Sequence, residues 1–170
     1  FESDALSDKW LSAVKDIGSD FEKANTLKMI LSRSLNDEQY RQSLTVSNTV
    51  ESDFEQANFL KDIIDKKVPE NDETFDVLMT SVHNVASDFE RSNILKKLIE
   101  KGLYNDKQWE VLLKEATALN GDFEKANVFI AAAEKMPRTD ELKAEYSNKA
   151  KSITSDYEHD RVLKAISQGE

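Results

Sequence analysis

The sequence predicts an all-α fold, a right-handed α-solenoid of about five helix pairs, and three observations lead to this prediction. One segment of about a dozen residues returns five times along the 170-residue chain, the first time as SDFEKANTLKMI from Ser19. The copies lie 33 to 35 residues apart, close to the length of two helices and two tight turns. Only four Gly and two Pro are present, which favours long helices with short connections.

The five copies divide the chain into repeats of about 34 residues when they are aligned on the Asp of each motif. These residues are Asp20, Asp53, Asp88, Asp122 and Asp156. The alignment predicts repeats at about 3–34, 36–67, 71–102, 105–137 and 139–170, within a single domain that spans 1–170. Phe1 aligns with Ile30 and Ile63 on the apolar face of a motif helix. We therefore expect that the chain is truncated at its N-terminus.

Each repeat carries two helix-start signals. The motif itself predicts a capping box, with Ser at the N-cap and Glu three residues later, as in Ser19 and Glu22. Gly121 replaces the Ser in the fourth copy and is still an acceptable cap. Sixteen residues before each motif Asp, another Asp follows a Ser, Asn or Thr, which is again N-cap chemistry. These second signals lie at 3–4, 36–37, 71–72, 105–106 and 139–140, so we expect ten helices.

Apolar residues follow the helical period in both helices of a repeat. In the second copy Ala57, Leu60 and Ile63 recur at helical spacing. The leading helix of each middle repeat carries a large aromatic anchor, at Tyr40, Phe75 and Trp109. We interpret the motif as a helix cap with an inward-pointing Phe, required once in every layer of the solenoid.

The motif columns are therefore interpreted as structural. We expect the Asp to act in capping and the Asn five residues later to form a ladder of hydrogen bonds between repeats. The structural motif residues are Asp20, Phe21, Glu22, Asn25, Asp53, Phe54, Glu55, Asn58, Asp88, Phe89, Glu90, Asn93, Asp122, Phe123, Glu124, Asn127, Asp156, Tyr157 and Glu158.

Composition argues against several classes of function. The chain has no Cys, and its two histidines, His83 and His159, are too scattered for a metal site or a catalytic triad. No HExxH, GxSxG or phosphate-loop motif occurs, so we expect no enzymatic activity, no catalytic residue, no metal and no cofactor. A net charge of −10 argues against nucleic acid as a partner. No apolar run is long enough for membrane insertion, and we expect a monomer.

Two basic columns stand out on this acidic chain. They lie three and eight residues after the motif Asp, and they could either cover apolar surface while pairing with acidic neighbours or meet an acidic segment of a partner. The candidate partner-binding residues are Lys28, Lys61, Lys96, Lys164, Arg91 and Lys125.

The signature SD(F/Y)E-x-(A/S)-N-x-L resembles a bacterial tandem repeat. That repeat is found C-terminal to membrane-embedded, zinc-metallopeptidase-like antibiotic-sensor domains and in uncharacterised bacterial proteins. The resemblance covers the whole chain through its five motif copies. It implies HEAT-like helical pairs in an interaction or sensing module, periplasmic or membrane-associated rather than cytoplasmic. The zinc motif of the metallopeptidase is absent here, so no catalytic residue is implied.

Two functions fit this architecture. The first is a non-enzymatic module that binds a protein or peptide, possible for a stack of helical pairs because it offers an extended surface. The alternative is a structural spacer, or a segment that transmits a signal and has no ligand of its own. Tetratricopeptide repeats share the period, but their W-x2-L-G-x2-Y pattern does not occur.

Overall fold

The fold is helical throughout the part of the chain that the structure describes. A computed structural model describes residues 4–168, with ten α-helices and no strand in that range. The helices are α1 (Asp4–Lys15), α2 (Asp20–Lys28), α3 (Asp37–Ser47), α4 (Asp53–Lys66), α5 (Asp72–His83), α6 (Asp88–Lys101), α7 (Asp106–Thr117), α8 (Asp122–Lys135), α9 (Asp140–Ala150) and α10 (Asp156–Ser167). A short 3-10 helix, Met29–Ser32, continues α2. The prediction of an all-α fold with ten helices is confirmed.

The expected helix starts are confirmed where the structure describes them. We call the even-numbered helices, which begin at the motif Asp, the motif helices, and the odd-numbered ones the leading helices. Asn or Thr caps α3, α5, α7 and α9, because its side-chain oxygen accepts the N–H of the third helical residue. Ser does the same in α2, α4, α6 and α10. Gly121 begins α8 without a side-chain bond, and Ser3 lies outside the described residues.

The helices group into two compact units, Phe1–Ala86 and Ser87–Glu170. Within each unit, a helix packs against the next helix and against the next but one. In the first unit α1, α3 and α5 therefore form one layer, and α2 and α4 form the other. In the second unit α7 and α9 form one layer, and α6, α8 and α10 form the other.

Apolar side chains of the two layers meet between them and form the core of each unit. Leu44 and Leu60 of the first unit, and Leu112 and Phe129 of the second, are fully buried. Burying one such side chain stabilises a fold by about 1.5–3 kcal/mol. The predicted anchors are also confirmed as core residues, at most 4% exposed; they are Tyr40, Phe75 and Trp109.

Tyr146 joins three helices of the second unit. Its hydroxyl donates to the carbonyls of Phe129 (3.0 Å) and Val162 (3.2 Å), and its ring lies edge-on to that of Phe129 with 5.2 Å between centroids. Burial raises the pKa of the Tyr146 hydroxyl, so it remains a donor. The contact holds α8, α9 and α10 in a fixed arrangement.

Candidate interaction surface

The motif Asp links each motif helix to the start of the next one in the same unit. Its carboxylate accepts backbone N–H groups that lie 32 or 33 residues further along the chain. The bonds run from Ser52 N to Asp20 (2.8 Å), from Ala86 N to Asp53 (2.9 Å), from Asn120 N and Gly121 N to Asp88 (2.8 and 2.9 Å), and from Thr154 N and Ser155 N to Asp122 (3.0 and 2.8 Å). We call this row the Asp ladder.

The Asp ladder completes the helix caps from outside the helix. In a capping box, the N-cap N–H is bonded by the Glu of the same helix. At Ser52, Gly121 and Ser155 the Asp of the preceding repeat accepts it instead. The Thr154 hydroxyl (2.7 Å) and the two backbone N–H groups hold the pKa of the Asp122 carboxyl below its usual value.

The expectation of an Asn ladder between repeats is wrong. The repeats are joined by Asp because a carboxylate at the first helical position lies beside the next cap, whereas the Asn lies more than one turn further along. Asn127 does contact the next repeat, where its Oδ1 accepts from Arg161 Nη2 at 3.5 Å, but this bond reaches a side chain and not the backbone.

The basic column three residues after the Asp is buried. Lys23, Arg91 and Lys125 are at most 8% exposed, and each donates to a carbonyl at the end of a leading helix in its own unit. The acceptors are Thr49 (2.9 Å), Ala118 (2.8 Å) and Ser152 (3.1 Å), respectively. A cation at a helix C-terminus is stabilised by the helix dipole.

The candidates Arg91 and Lys125 are therefore misplaced as surface residues. Arg91 Nη1 also lies 3.6 Å from Glu115, and Lys125 lies 3.6 Å from Asp122. The expectation that these two side chains belong to an accessible face is wrong, since a long basic side chain at this position reaches inward to the carbonyls of the neighbouring helix. Periodicity alone does not distinguish this geometry from a surface column.

The second basic column lies closer to the surface. Lys28 is paired with Asp62 of the next motif helix at 3.1 Å. Lys61 and Lys96 are half-buried and Lys164 is exposed. The role of these four residues in binding a partner stays a prediction.

The aromatic residue of the motif is exposed in all five copies, so the expectation of an inward Phe is wrong. The exposed fractions are 62% for Phe21, 58% for Phe54, 63% for Phe89, 57% for Phe123 and 72% for Tyr157. The second position of a motif helix faces solvent because its first turn is turned so that the Asp reaches the neighbouring cap and the third residue after the Asp points inward. We call Phe21 and Phe54 of the first unit, and Phe89, Phe123 and Tyr157 of the second, the aromatic rows.

The motif Asn lies beside the aromatic residue on the same face. Residues four and seven positions apart share one side of a helix, which places Phe89, Asn93 and Lys96 in one stripe along α6. Asn25 is exposed, and Asn58, Asn93 and Asn127 are half-buried. Each of these motif helices thus presents an aromatic ring, a carboxamide and, except in α8, a Lys in the same order.

Neighbouring motif helices of a unit run in the same direction. In the first unit the Asp20–Ser52 bond joins the two helix starts, and the Lys28–Asp62 pair joins them further along. In the second unit Asp122 meets Ser155, and Asn127 meets Arg161 five residues later. Equivalent side chains of adjacent motif helices therefore lie side by side, separated by the interaxial distance of about 8–10 Å.

No group of three or more His, Asp or Glu suited to a metal ion occurs within residues 4–168. No helix in the described range is long and apolar enough to cross a membrane. The first unit has an open cleft of about 360 Å3 beside Tyr40, with Arg33, Lys66 and Lys67 at its edge. Its lining includes neither a carboxylate nor an imidazole, so it offers no acid–base pair.

No protein-family model matches the chain, and comparison with curated protein sequences and with solved structures also gave no match.

Proposed function

We propose that the chain is a non-enzymatic repeat module, a right-handed solenoid of helical pairs of about 34 residues, that binds a protein or peptide through its aromatic rows. The observation that carries the proposal is the exposure of the motif aromatic in every copy, between 57% and 72%. Exposed rings of this size are typical of binding surfaces, where aromatic residues supply most of the contact energy.

The recurrence of the ring is not explained by the needs of the fold. The motif Ser caps the helix and the motif Asp joins neighbouring repeats, so folding accounts for their return in successive copies. A ring that is more than half exposed contributes little buried area, yet every copy retains Phe or Tyr. A shared ligand that contacts successive repeats accounts for this pattern.

The alternative of a spacer without a ligand is less well supported. A spacer requires a polar outer surface, since exposed aromatic rows promote association and offer no stability in return. The expectation for a spacer is therefore an outer face without clustered aromatic side chains. The aromatic rows favour the binding function.

The periplasmic or membrane-associated location stays part of the proposal, supported by the resemblance to the bacterial sensor-linked repeats. Fractionation of cells that express the intact protein with a tag tests it. Recovery in the cytoplasmic fraction alone would contradict this location.

A display selection with random peptides tests the binding function. Peptides are selected on the whole chain and then compared on the Phe89→Ala/Phe123→Ala variant and on Tyr104→Ala. Tyr104 is 56% exposed but lies outside the aromatic rows, so it is a matched control for the loss of an exposed ring. We expect peptides that bind the parent and the Tyr104 variant and fail on the double variant. Selected peptides that bind all three chains equally, or no enrichment at all, would contradict the proposal.

A further inference from the structure

Resting on this proposed function, we propose that the aromatic row of the second unit binds a proline-rich, basic segment in the polyproline II conformation. The segment lies across α6, α8 and α10, with one turn of its helix on each motif helix. Three features of the row define this ligand: the spacing of the motif helices, the polar groups beside the rings, and the charge of the first helical turn.

The spacing selects the conformation of the ligand. Adjacent motif helices lie about 8–10 Å apart, so equivalent groups repeat at that distance along the row. A polyproline II helix has three residues per turn and a rise of about 3.1 Å, so the same edge returns every 9.3 Å or so. A β-strand presents one face every second residue, at about 6.6 Å, and an α-helix turns every 5.4 Å or so. Of the three, the polyproline II helix fits without changing its face.

The polar groups beside the rings suit the backbone of such a ligand. A polyproline II helix forms no internal hydrogen bonds, so its carbonyls are available as acceptors. Asn93 makes no hydrogen bond to any residue that the structure describes. Asn127 accepts from Arg161 through Oδ1, which leaves its amide NH2 group as a donor. A row of carboxamide donors beside aromatic rings resembles, in its chemistry, the aromatic-lined grooves that hold proline-rich segments.

The charge of the first helical turn favours a basic ligand. A Glu directly follows each ring of the row, at Glu90, Glu124 and Glu158, while the nearby cations Arg91 and Lys125 are buried against backbone carbonyls. A Lys or Arg on the ligand can contact both the carboxylate and the face of the ring. An acidic ligand would face repulsion at the same positions.

A binding titration with three synthetic peptides tests the proposal. The nonapeptide (Pro-Pro-Arg)3, labelled at one end, is titrated with the whole chain and followed by fluorescence anisotropy. (Pro-Pro-Glu)3 keeps the conformation and reverses the charge, whereas (Gly-Ser-Arg)3 keeps the charge and loses the conformation. We expect saturable binding of the first peptide and at least tenfold weaker binding of the other two.

Single variants locate the site. Phe123→Ala removes the central ring and Asn93→Ala removes a carboxamide, and we expect each to weaken binding of (Pro-Pro-Arg)3 at least tenfold. Tyr104→Ala should leave the affinity unchanged. Circular dichroism checks that the variants retain the parent's helicity, since a variant that fails to fold does not report on the site.

The outcomes separate this inference from the function on which it rests. If (Gly-Ser-Arg)3 binds as well as (Pro-Pro-Arg)3, charge alone drives the contact and the inference is overturned. If (Pro-Pro-Arg)3 does not bind, while display-selected peptides without proline bind through the aromatic rows, the binding function stands and the polyproline ligand is wrong. If no peptide binds in either experiment, both proposals fail.

Discussion

The Asp ladder and the aromatic rows occupy opposite environments although their residues are adjacent in the chain. Asp88 accepts two backbone N–H groups of the next repeat, whereas Phe89 is 63% exposed. One helical position is a rotation of about 100°, enough to move a side chain from the contact between repeats to the solvent. The comparison teaches that one short recurring motif contains a part that folding requires and a part that folding does not explain.

The largest effect is expected from breaking the ladder at Asp88. Asp88→Ala removes the acceptor of two backbone N–H bonds, and hydrogen bonds to a charged group contribute about 1.5–3 kcal/mol. We expect the free energy of unfolding, measured with urea, to fall by about 2 kcal/mol.

Asp106→Ala is the matched control, because Asp106 holds the same first position in the leading helix α7 and is exposed. It loses only an interaction with the helix dipole, worth less than about 1 kcal/mol. Equal losses in the two variants would show that the ladder does not join the repeats.

The pH dependence of stability offers a second way to break the ladder. Asp122→Asn keeps an acceptor oxygen and removes the charge, so the parent is expected to have the higher Tm at neutral pH. Because the folded-state pKa of Asp122 is lowered, its contribution is complete above its ordinary pKa of 3.8 and is lost as the pH falls through the lowered value. Thermal unfolding from pH 7 to pH 2 should show the Tm difference shrinking only below pH 3.8. A difference that is constant over the whole range would contradict the assignment.

A smaller effect, of opposite sign, is expected at the fourth cap. Gly121 has an extended backbone that Ser can adopt, and a side chain there would meet only the flexible end of Glu124. Gly121→Ser should restore the cap of the other copies and raise the free energy of unfolding by a few tenths of a kcal/mol. Gly121→Ala, which adds the Cβ without the hydroxyl, is the control for urea unfolding. A gain that is as large in the Ala variant would point to chain entropy instead of capping.

The smallest effect on stability is expected in the aromatic rows. Phe123→Ala should change the free energy of unfolding by less than about 0.5 kcal/mol, because surface substitutions away from special features are nearly neutral. Phe129→Ala, six residues later in α8, removes a fully buried ring and should cost about 3–5 kcal/mol. If both substitutions destabilise the chain comparably, the Phe123 ring belongs to the core and the proposed binding surface is wrong.

The unit that carries three rings differs in charge from the other. Residues 1–86 contain 17 acidic and nine basic side chains, a net charge of −8, whereas residues 87–170 contain 16 and 14, a net charge of −2. A basic ligand that docked through overall charge alone would prefer the first unit. Preference for the second unit in the peptide titration would instead point to the three-ring row, which sharpens the distinction between structural and binding residues.

The sequence by itself determined the helices of this protein. Caps such as Asn36 and Ser52, and apolar spacing such as that of Leu60 and Ile63, depend on residues a few positions apart, so local physical chemistry predicts them. The anchors Tyr40 and Trp109 were also predictable, because a large aromatic residue within an apolar stripe lies toward the core.

Only the tertiary structure decided what each motif column does. Whether Asp88 bonds its own helix or the next, whether Arg91 reaches inward, and whether Phe89 is covered all depend on how neighbouring helices are rotated about their axes. A rotation of one residue exchanges the buried and the exposed column. The helical period cannot encode that rotation when both sides of the stripe carry apolar or basic residues, since it is set by contacts between side chains more than 30 residues apart.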